Sequence, residues 1–268
     1  EICACLVGSE MCIRDRKKAD RPLVFFEHFS NSAITDECEG TNVEGNITNN
    51  FNNGAWNPNS LPGSVGQYWE ALYEGIRKAN LIIENVQKYN TPDNPQQDGD
   101  LRNRIGEMYF MRGYFHMLLL RMYGEAPYID RVINAGDNMD FKKESVHSMV
   151  EKIVTDAQTA YGMVPNKYVK TSENFGRVDK GACLGLISFV RWVAATPLWN
   201  GASQYGYNLR RVFENEYAYD ATRWRKAKEA AKAVLDFEVG GTKRYSLYTK
   251  HDANAVSYTH LTLPTTSR

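Results

Sequence analysis

Gly106-Glu107-Met108-Tyr109-Phe110-Met111-Arg112-Gly113-Tyr114-Phe115, running on to Tyr123-Gly124-Glu125-Ala126-Pro127-Tyr128, is the stretch that decides the fold of this chain. Ile105, Met108, Tyr109, Phe115, Leu118, Leu119 and Met122 recur at three- and four-residue steps. That spacing places apolar side chains along one face of an α-helix. Gly124 and Pro127 then stop it, because a left-handed glycine ends a helix and proline cannot continue one. The spacing predicts a helix over about Leu101 to Met122.

The same period recurs outward in both directions. Tyr68, Trp69, Leu72, Tyr73, Ile76, Ile83 and Val86 predict a helix over about Val65 to Lys88. On the other side, Ser145 is a good N-cap for a helix carrying Met149, Val150, Ile153, Val154, Ala157, Ala160 and Tyr161, closed by Pro165. A fourth helix is expected from about Asp179 to Ala195, with Ala182, Leu186, Phe189, Val190 and Val193. A fifth is expected from about Thr222 to Phe237, with Trp224, Ala227, Ala230, Ala231, Val234 and Leu235. Tyr245-Ser246-Leu247-Tyr248 reads as an extended, strand-like piece. Five helices at this recurrence fall in the period range of helical repeat arrays. The expected fold class is therefore all-α, with no sheet of any size.

Composition narrows the function classes. The 268 residues carry 32 basic and 32 acidic side chains, and this zero balance argues against a basic nucleic-acid binder. A mean hydropathy of −0.51, with no long uncharged apolar run, excludes a bundle of membrane-spanning helices. There is no H-E-x-x-H, P-loop, G-x-G-x-x-G or G-x-S-x-G pattern. His28, His116, His147 and His251 have no metal-ligand spacing, and no cofactor or metal is expected. His116 lies among apolar residues and is expected to be buried and hydrogen-bonded.

Both ends read as foreign. Leu6 to Arg16 (LVGSEMCIRDR) and Val256 to Thr266 (VSYTHLTLPTT) match, codon by codon, translations of transposase-type sequencing-library adapters. Residues 1–16 and 256–268 are accordingly expected to be non-native, leaving 17–255 as a partial helical domain cut at both ends. Of the 5 cysteines, Cys3, Cys5 and Cys12 then fall in the adapter, and Cys38 and Cys183 are expected to be buried thiols.

Four stretches together resemble the SusD/RagB family of outer-membrane glycan-binding lipoproteins. Tyr68-Trp69-Glu70-Ala71-Leu72-Tyr73-Glu74-Gly75-Ile76-Arg77-Lys78-Ala79-Asn80 is similar to W-x-x-x-Y-x-x-I-x-x-x-N. The Gly106–Phe115 stretch and Tyr123–Tyr128 resemble G-E-A-x-F-L-R-A-x-x-Y and Y-G-x-V-P, with Met108 and Gly113 in place of alanine. Ile153–Ala160, ending at Val164-Pro165, is similar to I-x-x-D-L-x-x-A-x-x-L-P. Gly176-Arg177-Val178-Asp179-Lys180-Gly181-Ala182 and Ala194–Gly201 resemble G-R-V-T-K-x-A and A-A-S-P-L-F-N-G. The resemblance implies tetratricopeptide-like helix pairs with long loop insertions. It implies non-catalytic glycan capture at the cell surface, an N-terminal lipid anchor missing from this fragment, and a SusC-like TonB-dependent transporter beneath. Such family motifs report the fold, so Asn80 and Arg112 are expected to be satisfied hydrogen-bonders, and Trp199 to be core.

Sugar contacts are expected in the loops. Sugars stack C–H faces on aromatic rings and offer hydroxyls to amides, carboxylates and guanidinium groups. The loop from Asn42 to Gly63 supplies Trp56 beside Asn57 and Asn59, and the loop from Gly201 to Asn208 supplies Tyr205 and Tyr207. These five residues are the candidate ligand contacts. The alternatives are a tetratricopeptide-type protein-interaction scaffold and an all-helical glycosidase, which would need two carboxylates facing each other across a sugar cleft.

Overall fold

Phe115, His116, Met117, Leu118, Leu119 and Leu120 are six consecutive buried residues, so the central helix is enclosed on every side rather than along one stripe. The computed structural model describes residues 51–55, 57, 63–89, 99–168, 174, 176–201 and 217–246. Within them lie α1 (Gly63–Tyr89), α2 (Gly99–Tyr123), α3 (Val146–Met163), α4 (Lys180–Ala195) and α5 (Ala221–Leu235), followed by β1 (Glu238–Val239) and β2 (Thr242–Lys243). Each helix packs on the next in chain order, and α2 also touches α4. The all-α class and the five helices are as the periodicity predicts.

Local chemistry sets the helix ends. Ser145, Asp179 and Asp220 cap α3, α4 and α5, accepting from the N–H groups of Ser148, Ala182 and Thr222 at 3.2, 3.0 and 2.8 Å. Each thereby satisfies a donor that the first helical turn would leave unpaired. Gly124 ends α2 at φ 71°, with its N–H bonded to the Leu120 carbonyl at 3.0 Å.

One core runs through the first four helices. Tyr68, Leu72 and Ile76 of α1 meet Phe115, Leu118 and Leu119 of α2. Beyond them lie Val150, Ile153 and Ala157 of α3 and Leu186 and Val190 of α4. Burying a side chain of this size contributes about 1.5–3 kcal/mol. Trp199 is core, as expected, with its ring edge-on to Tyr217 at 5.1 Å. Cys183 is buried, and burial pushes its thiol pKa up to about 12, which makes it inert. Trp69 and Tyr73 are half-buried, packed in a ring cluster with Tyr123.

The far end is less enclosed than the rest of the stack. Of the apolar positions assigned to α5, only Ala227 is buried, whereas Trp224 and Leu235 are 43% and 63% exposed. One flank of α5 packs on the stack and the adjacent flank faces outward. β1 and β2 pair antiparallel through a turn at Gly240 and Gly241, and Tyr245 and Ser246 follow outside both strands. Alternation of side chains could not locate strands of two residues each. Leu247 and Tyr248 lie outside the described residues.

Gly106 explains one motif directly. A Cβ there would sit 2.7 Å from Met163 Cβ and 2.9 Å from Val164 Cγ1. Only glycine allows α2 to approach the end of α3 so closely. Gly106→Ala is expected to lower stability by about 1–3 kcal/mol, read as a lower urea midpoint at unchanged helical content.

Candidate functional site

The polar heart of the molecule is a buried arginine. Arg112 of α2 donates from Nε to Asp156 Oδ2 at 2.7 Å and from Nη2 to Asp156 Oδ1 at 2.5 Å. Its Nη1 reaches Asn80 Oδ1 and the Asp130 carbonyl, each at 2.9 Å. Burial alone would lower the guanidinium pKa, but the bonds to Asp156 outweigh it and raise the pKa. Tyr128 donates to Asp156 Oδ2 at 2.6 Å; burial first, then the adjacent carboxylate, raise its pKa.

These groups hold an extended strap, Pro127 to Ile133, along α1 and α2. Tyr73, Arg77, Asn80 and Glu84 lie at helical steps on α1, and each binds strap backbone. Tyr73 donates to the Pro127 carbonyl, Arg77 to that of Ile133, and Asn80 to those of Ile129 and Arg131. Glu84 accepts from the Val132 N–H. From α2, His116 Nε2 accepts from the Ile129 N–H at 3.0 Å, so its other nitrogen, Nδ1, donates to the Arg112 carbonyl at 2.8 Å. The ring is therefore neutral, and burial lowers its pKa to about 3. Asn80, Arg112 and His116 are all buried and hydrogen-bonded, as expected from the sequence.

The acid of the α2 motif, Glu107, is paired as well. Glu107 is 2% exposed and accepts from Arg177 Nε at 2.8 Å and from the Tyr168 hydroxyl at 3.0 Å. Glu107 and Asp156 are thus structural ions, and neither can face a sugar as an acid or base. Farther along, Tyr217 donates to buried Glu125 at 2.7 Å and accepts from the Val146 N–H at 3.0 Å, pinning the start of α3.

A polar cleft of about 210 Å³ opens where α3, α4 and the start of α5 meet. Glu151 stands in it, bonded to Arg191 Nη1 and Nη2 at 2.5 and 2.7 Å and to Lys226 Nζ at 2.9 Å. Its bonds to Arg191, then those to Lys226, hold its pKa down at about 2. His147 lies in the wall, its pKa lowered to about 4 chiefly by burial. Sequence inspection did not find this cleft, and no motif signals it: Glu151, Arg191 and Lys226 come from three helices far apart in the chain.

Of the candidate ligand contacts, Asn57 is exposed, a few residues before α1. Trp56, Asn59, Tyr205 and Tyr207 lie outside the described residues.

Helices packed in chain order, with polar side chains directed into their connections, define a helical-repeat scaffold. Residues 21–190 match the SusD-like_3 family model, described as starch-binding and associating with the outer membrane, and the chain belongs to that family. SusD-like protein P2 of Formosa agariphila is 28% identical over 129 residues, 48% of this chain and 24% of that protein. A laminarin-binding SusD-like protein superimposes with a TM-score of 0.55 at 18% identity, covering 92% of this chain and 46% of its own. A SusD homologue from Bacteroides thetaiotaomicron gives 0.52 at 23% identity, covering 70% and 32%. A protein crystallised with xylogluco-oligosaccharide gives 0.51 at 19% identity, also covering 70% and 32%. At these identities the structural likeness is one of fold, and the chain spans less than half the length of each of these relatives.

Arg112→Met would leave Asp156 buried without its cation and is expected to cost about 3–5 kcal/mol, measured by equilibrium urea unfolding. A second expectation concerns pH. His116 and His147 have folded pKa values below the unfolded 6.5, so below pH 6.5 the unfolded chain binds protons that the folded chain does not. Stability is full above pH 6.5 and falls as pH drops toward 4, by on the order of 2 kcal/mol at pH 5 from buried His116 and by less from the partly exposed His147, whose shift solvent screens. Urea midpoints at pH 7 and pH 5 measure the loss, and His116→Gln should reduce the pH slope.

Proposed function

We propose that this chain is the helical part of a non-catalytic glycan-capture protein of the Gram-negative cell surface. It holds oligo- or polysaccharide for delivery to a SusC-like TonB-dependent transporter. The observation that carries the reading is the family match over residues 21–190, whose description joins starch binding to the outer membrane. Fold relatives that bind laminarin or were crystallised with xylogluco-oligosaccharide support a glycan as the ligand class. The pairing of Asp156 with buried Arg112 and of Glu107 with Arg177 supports capture without cleavage, since neither acid is left free to act on a sugar.

In this reading a lipid anchor on the full-length protein holds it at the outer membrane, and the loops carry the ligand face. Trp56 offers a ring for stacking, with Asn57 and Asn59 beside it as hydrogen-bonding amides. Tyr205 and Tyr207 supply a second aromatic stretch. The segments 1–16 and 256–268 take no part.

Trp56→Ala is expected to weaken retention of the protein in a laminarin or xyloglucan affinity gel at least tenfold. Its thermal midpoint should move by no more than one or two degrees, the size of a surface substitution. Unchanged retention with an intact fold removes Trp56 from the site. Release of reducing sugar by the purified protein would overturn the non-catalytic reading itself.

A further inference from the structure

We propose that the cleft between α3, α4 and α5 is a second sugar subsite, sized for one hexopyranose ring and separate from the aromatic loops. The proposal rests on the glycan-binding reading above and adds a place and a residue set to it.

Size is the first argument. A cavity of about 210 Å³ lies below the roughly 300–1,000 Å³ of ordinary small-molecule sites, so it suits one ring rather than a chain. The second argument is the chemistry of the wall. Glu151 and Asp220 present acceptors, while Arg191, Arg223 and Lys226 present donors, Arg223 already engaged with Asn200 and the Ala218 carbonyl. Thr222 presents a hydroxyl, donating to Asp220 Oδ2 at 2.8 Å and keeping its lone pairs for an incoming donor. A simple anion would meet two carboxylates, a simple cation would meet three bases, and an apolar group would strand all five charges without water. A hydroxyl is donor and acceptor at once, and a ring bearing several fits such an alternating wall. Val150 and Ala194 add an apolar patch on which a sugar C–H face can rest.

The groups are also held in place before any ligand arrives. Glu151 is fixed by Arg191 and Lys226, so ordering them costs little on binding. Lys226 uses one of its three N–H donors on Glu151, which leaves the others for a guest oxygen.

The test uses the full chain, labelled with 15N, titrated with methyl β-D-glucopyranoside and separately with methyl α-D-mannopyranoside. With at least one of them, amide shifts are expected to cluster at residues 147–151, 191–194 and 220–226 and to saturate. Lys226→Met should lower the apparent affinity at least fivefold. Thr222→Val, which leaves the Glu151 bonds intact, should also lower it, and Trp56→Ala should leave these shifts unchanged. Shifts elsewhere only, no shifts with either glycoside, or cleft shifts indifferent to both cleft variants would each overturn the subsite. Laminarin and xyloglucan affinity gels on the same sample separate the two levels. Retention without cleft shifts rejects the subsite alone, and loss of both rejects the glycan reading with it.

Discussion

Arg112 and its carboxylate partner Asp156 fix the arrangement of the first three helices. A buried ion pair costs desolvation energy, and it is tolerated only where the remaining hydrogen-bonding groups are also met. Here they are met by the strap: the Asp130 carbonyl and Asn80 take the other donors, and Tyr128 binds the carboxylate. The pair therefore joins α1, α2, α3 and the Pro127–Ile133 connection at one point. Shifting any of these elements would leave a charge or a backbone group unpaired in the core. The strap also shows why the connection after α2 can run through the interior. Tyr73, Arg77, Asn80 and Glu84 provide side-chain partners for backbone groups that a buried loop would otherwise strand.

The junction with α5 is built differently. Glu151 reaches Arg191 and Lys226 at a solvent-facing position, where ion pairs are weak singly and screened by salt. Asn200 adds a buried tie, exchanging hydrogen bonds with the backbone of Asp220 and accepting from Arg223. The first part of the stack is therefore held by apolar burial and a desolvated ion pair, and the α5 end mostly by polar contacts. A polar cleft is compatible with the second kind of junction and would be costly in the first.

The two acids of the helical motifs acquire their roles from this packing. In a sequence, Glu107 and Asp156 are available carboxylates, and nothing near them in the chain says what they face. Their partners Arg177 and Arg112 lie 70 and 44 residues away, and pairing turns both acids into internal anchors. Membership of the SusD-like family agrees with helices that serve as a frame.

The helices, the cap at Ser145 and the burial of His116, Trp199 and Cys183 were legible in the chain. Those features depend on spacing and on local chemistry, which a linear sequence records. The outward flank of α5, with Trp224 and Leu235 exposed, was not, because periodicity shows that a helix has an apolar flank and not whether a neighbour covers it. Gly106 stands in the sequence only as part of a motif, and only the fold showed that it meets Met163 and Val164. The strap ladder and the α3–α4–α5 cleft were decided by tertiary structure alone. Their residues become neighbours only after the helices stack, and distance along the chain carries no trace of that contact.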